Sequence, residues 1–449
     1  MMILDIVITL YFSYLLVLLH ITRNTHLFPF SLYSLFIIFA MAEVPYLFYF
    51  VHNPELISSH IKPLIEDFDS LVIKHIFNTF LFVNITFFSM FIYKPKPKLF
   101  IDTFSSWKYT NKQLKFAFVF LFTFTLLFYA AFLQKVGGLS LLLANISNKS
   151  TFVQGTALHR TGLFVSGLLC IGIFIEAKSR VHNNSWSTFK LFLVVLFFFA
   201  LLASFGERQK PILLLIFTVL LWNYKISRIN LFNIKLLISF VFLIIFSSLA
   251  PVLRQAGAMD IYVQDPLLAF KDAIPHLGEI FKRFSDIDLS IFVYSHFESF
   301  DDFWFGSVVK DFFTGFIPSS IYPDKPPLDS GVYIYNMAIG NHVEIGSPFT
   351  SMYPVGWPLS RVTSGYVNFG LIGILMFAPI TGFILKYFYQ IMLDSKFSGA
   401  TVLFFTIMLF SNFGISNAYV FNLLIIFICC LSLSFILRVI LGKRKNDRC

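Results

Sequence analysis

Six cations in this sequence are placed where they could bind an anion. Arg160, Arg208, Lys210, Arg254, Arg283 and Arg361 all fall beside or between long apolar runs, on the side opposite the main Lys/Arg clusters. A guanidinium stays charged at any working pH and offers a rigid donor fork that matches phosphate oxygens. Several of them converging would suit a lipid-linked diphosphate, whose charge lies at headgroup depth. Arg208, Arg254 and Arg361 stand at the ends of apolar runs and are expected to hold that group, with Arg160, Lys210 and Arg283 in reserve. In Gly206-Glu207-Arg208-Gln209-Lys210-Pro211 the proline suits a first helical turn, and the free N–H groups there would add to an anion site. Taken singly, each cation also has a structural explanation, as an ion pair or a side chain snorkelling to the interface.

Acid–base groups occupy the same side. His342 and Glu344 lie one residue apart in a polar stretch, and either could accept a proton from a hydroxyl. A loop histidine on the surface is the plain alternative. Asp67-Phe68-Asp69 and Asp286-Ile287-Asp288 both read Asp-x-Asp, a spacing that suits a metal ion, but two such pairs in acidic loops do not make a metal site. No metal and no other cofactor is expected. Glu43 and Lys74 fall within apolar spans, where charges are costly, and are expected to pair with each other. Trp304, Tyr333, Tyr335 and Trp357 offer ring faces for stacking on a ligand, and core packing would explain them equally well.

The elements that must position these residues are membrane helices. Of 449 residues, 57% are hydrophobic and only 13% charged, about half the charge of a soluble domain, which points to a polytopic membrane protein. The net charge of +10 is no sign of nucleic-acid binding, because the basic residues cluster at the ends of apolar runs. Four cysteines give neither a disulfide framework nor metal-ligand spacing, and no cleavable leader is evident after Met1. A helix needs roughly 17–25 apolar residues to cross the hydrocarbon. That rule gives about eleven spans: 3–21, 29–51, 71–93, 114–134, 161–177, 190–205, 211–224, 236–250, 367–386, 398–416 and 418–440. The run 136–146 reads as re-entrant or interfacial. Lys94, Lys96, Lys98, Lys178, Arg180, Lys225, Arg228, Lys386 and Lys443 alternate with loops rich in acids, so their side is cytoplasmic. The N-terminus then faces out and the C-terminus in. The expected organisation is a bundle over 1–250 (about eight spans), an outer cap of short helices over 251–366, further spans over 367–441 and a tail over 442–449.

Two motifs within this frame resemble a known family. Gly206-x-Arg208 before an apolar span, Gly365-Tyr366-Val367-Asn368-Phe369-Gly370-x-x-Gly373, and the run Ile317-Pro318 to Tyr322-Pro323-Asp324-Lys325-Pro326 are similar to those of bacterial O-antigen polymerases of the Wzy type. The resemblance covers roughly 200–390. Ser364-Gly365 stands where that family usually has Gly-Glu, which removes one candidate acid. The resemblance implies a GT-C-like all-α membrane fold in the bacterial inner membrane and a reaction at the periplasmic face. A growing glycan would pass from undecaprenyl pyrophosphate to a hydroxyl of a new lipid-linked repeat unit. It implies lipid-linked donor and acceptor and membrane lipids as partners, with a chain-length regulator protein a further one. The alternatives are an O-antigen ligase passing glycan to lipid A core, and a flippase for lipid-linked oligosaccharide. A transporter would show paired repeats and short loops; one large outer interval argues against it. Gly365, Gly370 and Gly373 read as architectural: small residues let helices approach, and Asn368 can satisfy backbone groups.

Overall fold

The computed structural model describes residues 2–54, 57, 61–65, 67–97, 110–144, 156–180, 187–205, 209–229, 264–274, 285–298, 302–317, 321–357, 359–410 and 417–441, with scattered residues between 238 and 262. Among the described residues every regular element is helical. In chain order the helices are α1 (Met2–Ile21), α2 (Leu32–Met41), α3 (Val44–His52), α4 (Phe68–Ile92), α5 (Asn111–Val136), α6 (Leu139–Ala144), α7 (Ala157–Arg180) and α8 (Thr188–Ala203). They continue with α9 (Gln209–Lys225), α10 (Pro266–Ala273), α11 (Ile287–His296), α12 (Val309–Thr314), α13 (Gly331–Ala338), α14 (Arg361–Asp394), α15 (Gly399–Phe410) and α16 (Asn417–Leu441). Seven helical segments among the described residues are long and apolar enough to cross a membrane: Met2–Asn24, Leu32–His52, Phe68–Ile92, Asn111–Val136, Leu158–Arg180, Arg361–Asp394 and Val420–Leu437. The chain has the make-up of a multi-pass membrane protein. The expected span 236–250 lies largely outside the described residues, as does the tail 442–449.

The chain folds into two compact units, each assembled from separate stretches. One comprises Met1–Pro95, Phe281–Tyr387 and Ser411–Leu424, and the other Lys96–Ile280, Phe388–Phe410 and Ile425–Cys449. The expected cap interval therefore divides, with 281–366 in the first unit and 251–280 in the second.

In the second unit α7 is the central helix. It buries 83% of its most apolar window, against 22% for its neighbour α5. Glycines set this packing: a Cβ on Gly162 would lie 2.7 Å from the Phe128 ring, and one on Gly172 would lie 3.3 Å from the α-carbon of Gly399. Thr125 donates to Ser166 at 2.9 Å between α5 and α7. Helix α5 starts in a reciprocal capping box of Thr110 with Gln113 and ends at Gly137, whose φ of 87° closes the last turn. At the far ends of α7 and α9, Glu176 binds both Arg180 and Lys225.

Two spans of the first unit contain a break in the helix. Residues 29–51 form two helices, because Pro45 has no N–H to continue the ladder and α3 restarts from Glu43, whose carbonyl accepts from Tyr46 and Leu47. Residues 361–394 are likewise not one rod. Phe369 (φ −148°, ψ 21°) and Gly370 (φ 60°, ψ −142°) reverse the chain, and Gly370 adopts a backbone that side chains disfavour. The reversal lays Gly373 directly against Gly365. Beyond it, a Cβ on Gly382 would come within 2.6 Å of the Thr86 carbonyl, so α14 meets α4 closely, and Thr86 donates to the Ala378 carbonyl at 3.1 Å.

Candidate functional site

The break in α14 is fastened to the polar interval by backbone bonds. Trp304 N–H donates to the Val367 carbonyl at 2.9 Å and Phe305 N–H to that of Asn368 at 3.0 Å. The Asn368 side chain accepts from Gly306 N–H at 3.0 Å and donates to the Ser364 carbonyl at 2.8 Å. A helix end leaves carbonyls without intrahelical partners, and this turn supplies them. It holds Phe305 at φ 47° and Gly306 at φ 76° to do so. The Gly-Tyr-Val-Asn-Phe-Gly run is a joint between a short-helix layer and a long apolar helix.

Next to this joint lies a buried polar centre. Its first member is Glu43, placed by the Pro45 break rather than along a continuous helix face. His75 comes from α4, and its Nε2 lies 2.8 Å from Glu43 Oε1, with both side chains under one-tenth exposed. Asp286, at the start of α11, makes no capping bond to its own helix. It instead accepts from Thr363 Oγ1 of α14 at 3.2 Å. Ser285 donates to Glu43 Oε1 at 3.0 Å and accepts from Ile287 N–H at 3.2 Å. One ligand-capable atom from each of Glu43, His75 and Asp286 lies within 4.8 Å of the other two. Tyr46 of α3 donates to Asp288 at 3.2 Å. Burial, reinforced by the negative charge of Asp286, holds the Tyr294 hydroxyl far above its ordinary pKa, so it stays a neutral phenol.

A single imidazole against one buried and one half-buried carboxylate is an acceptor-rich arrangement. It can take up a proton or a cation, and these three residues are the ones among the described residues able to hold a metal. The expected Glu43–Lys74 pair does not form. Lys74 instead donates to the Tyr294 carbonyl at 3.3 Å and lies 5.6 Å and 5.2 Å from the ring centres of Tyr294 and Tyr366. Neighbours on a helix point about 100° apart, so Lys74 and His75 cannot both face Glu43.

The other expected site residues fall in several places. Arg208, Arg254 and Arg283 lie outside the described residues. Arg361 is half-buried at the first turn of α14, two residues before Thr363, in the first unit. Arg160 and Lys210 belong to the second unit; Arg160 Nε donates to Thr156 Oγ1 at 3.1 Å, and Lys210 is in the first turn of α9. His342 and Glu344 are both exposed on the loop after α13. Trp304 is buried, edge-on to Phe297 and Tyr333. Tyr335 and Trp357 are half-buried and meet edge-to-face at 5.3 Å. Of the Asp-x-Asp pairs, Asp67 caps α4 by accepting from Ser70 N–H, and Asp286 joins the buried centre.

His75 escaped the sequence reading, yet a signal was present. His75, Asn78, Thr79, Thr86 and Ser89 recur at helical spacing in an apolar span, and all five are buried. Comparison with protein-family models, curated proteins and solved structures finds no match to this chain.

Proposed function

We propose that this chain is a membrane glycosyltransferase that polymerises lipid-linked glycan repeat units, built on about eleven spans in a GT-C-like arrangement in the bacterial inner membrane, with its polar interval at the periplasmic face. The observation that carries this reading is the joint at Asn368. The motif run that resembles the O-antigen polymerases is where the polar interval is bonded to a membrane helix, as a substrate-holding cap would require.

In the proposed reaction the acceptor sugar hydroxyl attacks the anomeric carbon of the donor glycan. The bond from that carbon to the undecaprenyl pyrophosphate oxygen breaks, and the lipid diphosphate leaves with the bonding electrons. His342 or Glu344 takes the hydroxyl proton. Arg208, Arg254 and Arg361 meet the charge that builds on the diphosphate, with Arg160, Lys210 and Arg283 in support. Preorganised cations of this kind supply most of the rate for such leaving groups.

Deleting the gene in the native strain and profiling its lipopolysaccharide tests the reading. Loss of a polymerase leaves core carrying a single repeat unit. Bare core with lipid-linked glycan accumulating at the periplasmic face would make the chain a ligase, and accumulation at the cytoplasmic face a flippase. At residue level, Arg208→Ala, Arg254→Ala and Arg361→Ala should each abolish long chains at unchanged protein level. Normal ladders from all three would remove the cation assignment.

A further inference from the structure

We propose that Glu43, His75 and Asp286 bind a divalent transition-metal ion, with Zn²⁺ or Mn²⁺ as the best-matched occupants. The proposal stands on the buried centre alone and does not depend on the glycan-transfer reading.

The donor set is mixed in the way such ions favour. Imidazole suits zinc and its neighbours, carboxylates suit manganese, and a site with both takes either. Ligand atoms held at about 2.1 Å from one ion lie about 3.0–3.4 Å from each other. The 2.8 Å between His75 Nε2 and Glu43 Oε1 is already near that spacing, and the whole set lies within 4.8 Å. A contraction of side chains alone closes it.

Orientation is also provided. Metal-binding carboxylates are normally held by outer hydrogen bonds. Ser285 fixes Glu43 and Thr363 fixes Asp286 in that manner. Thr363 is fully buried, and its hydroxyl also contacts Ser360.

Among the described residues no lysine or arginine lies within ion-pair distance of either carboxylate. His75, only 1% exposed, leaves its Nδ1 without a hydrogen-bond partner among the described residues. So does the Tyr11 hydroxyl, 4% exposed on α1 and lying in the field of Glu43. Buried polar atoms in native proteins are paired in the large majority of cases, so these two mark a centre whose polar groups are not all satisfied among the described residues. The three ligands come from the α2–α3 break, α4 and the start of α11, so a bound ion would tie the polar interval to two membrane segments.

The test uses full-length, tag-free protein in detergent, stripped with chelator and then titrated with Zn²⁺ or Mn²⁺ alone. The expected result is one ion per chain by elemental analysis and a thermal midpoint that rises with metal and falls again with chelator. Thr363→Val, which removes the hydrogen bond to Asp286 and the contacts with Ser360 but no ligand, should weaken binding by about 10–100-fold. Asp286→Asn should weaken it further, while His342→Ala on the exposed loop should leave it unchanged. The stripped wild type needs no variant to fold. If it takes up neither ion at micromolar concentration, or if uptake is the same in Asp286→Asn and Thr363→Val, the proposal fails and the two carboxylates are held by a shared proton instead.

Discussion

Gly373 lies so close to Gly365 that a Cβ added to it would fall 1.9 Å from the Gly365 carbonyl oxygen. The contact is backbone on backbone, with no flexible side chain able to retreat. Gly373→Ala should therefore force the two arms of α14 apart and cost more than the usual overpacking range of about 1–3 kcal/mol. Gly340 provides the contrast. It has φ +84° but nothing within 4 Å of where a Cβ would stand, so Gly340→Ala should cost only its backbone strain, about 1 kcal/mol. Thermal unfolding in detergent distinguishes the two, and equal losses would disprove the close approach.

The Asn368 side chain fills two roles at once, accepting from Gly306 N–H and donating to the Ser364 carbonyl. Asn368→Leu would leave both backbone groups unpaired at a buried joint. Each unsatisfied group costs about 1–3 kcal/mol, so the loss should reach several kcal/mol. Asn368→Asp keeps the acceptor but sets a carboxylate against a carbonyl, and should fall between Leu and wild type. Hydrogen exchange at Gly306 should quicken in the Leu variant before the whole protein unfolds.

Tyr333 and Asp311 form the buried polar pair of the short-helix layer. The Tyr333 hydroxyl donates to Asp311 Oδ2 at 2.8 Å and accepts from Gly346 N–H at 2.9 Å. Burial raises the Asp311 carboxyl above its ordinary value of 3.8, against the lowering pull of Tyr333 and Lys310. A raised value means the folded state binds the proton more tightly than the unfolded state. The resulting stabilisation is complete below 3.8 and disappears as pH rises through the raised value. Asp311→Asn keeps an acceptor for Tyr333 without titrating. Wild type should therefore lose stability relative to Asp311→Asn as the pH rises above 3.8 and through the raised value. Parallel melting curves across that window check the sign, and a gain in wild type would contradict it.

Glu176 joins Arg180 of its own helix to Lys225 of α9, with Oε2 2.8 Å from the lysine. The carboxylate is 18% exposed, between a surface pair and a buried one. Glu176→Gln should cost about 1–2 kcal/mol, and added salt should narrow the difference. A cost unaffected by salt would mean that packing, not charge, is what the substitution removes.

Much of this architecture was legible from hydropathy. Long spans such as α4, α5 and α7 announce themselves because an apolar run of that length has no other stable state in water or lipid. The Gly365–Gly373 run was readable as an approach of small residues for the same reason. What hydropathy averages away is a single-residue break. Pro45 and Gly370 each sit in a window that is apolar overall, so hydropathy marks the two spans but not the breaks inside them. The buried centre was hidden by sequence distance: Glu43, His75 and Asp286 are brought together by packing, and nothing local ties position 286 to position 43. Adjacency misled in turn, because Lys74 is the more obvious partner by charge while His75 has the correct helical face.

That choice between neighbours can be measured directly. If His75 rather than Lys74 is the partner of Glu43, the two pairs should differ in a double-mutant cycle. Glu43→Gln and His75→Gln each strand a buried partner, so each single change should cost about 3–5 kcal/mol, and the double change much less than their sum. Lys74→Met removes a cation held by the Tyr294 carbonyl and the rings of Tyr294 and Tyr366, and should cost about 1–2 kcal/mol. Combined with Glu43→Gln, its cost should add to within about 0.5 kcal/mol, as for groups without a shared bond. Coupling that is larger for Lys74 than for His75 would reverse the assignment and return the two charges to each other.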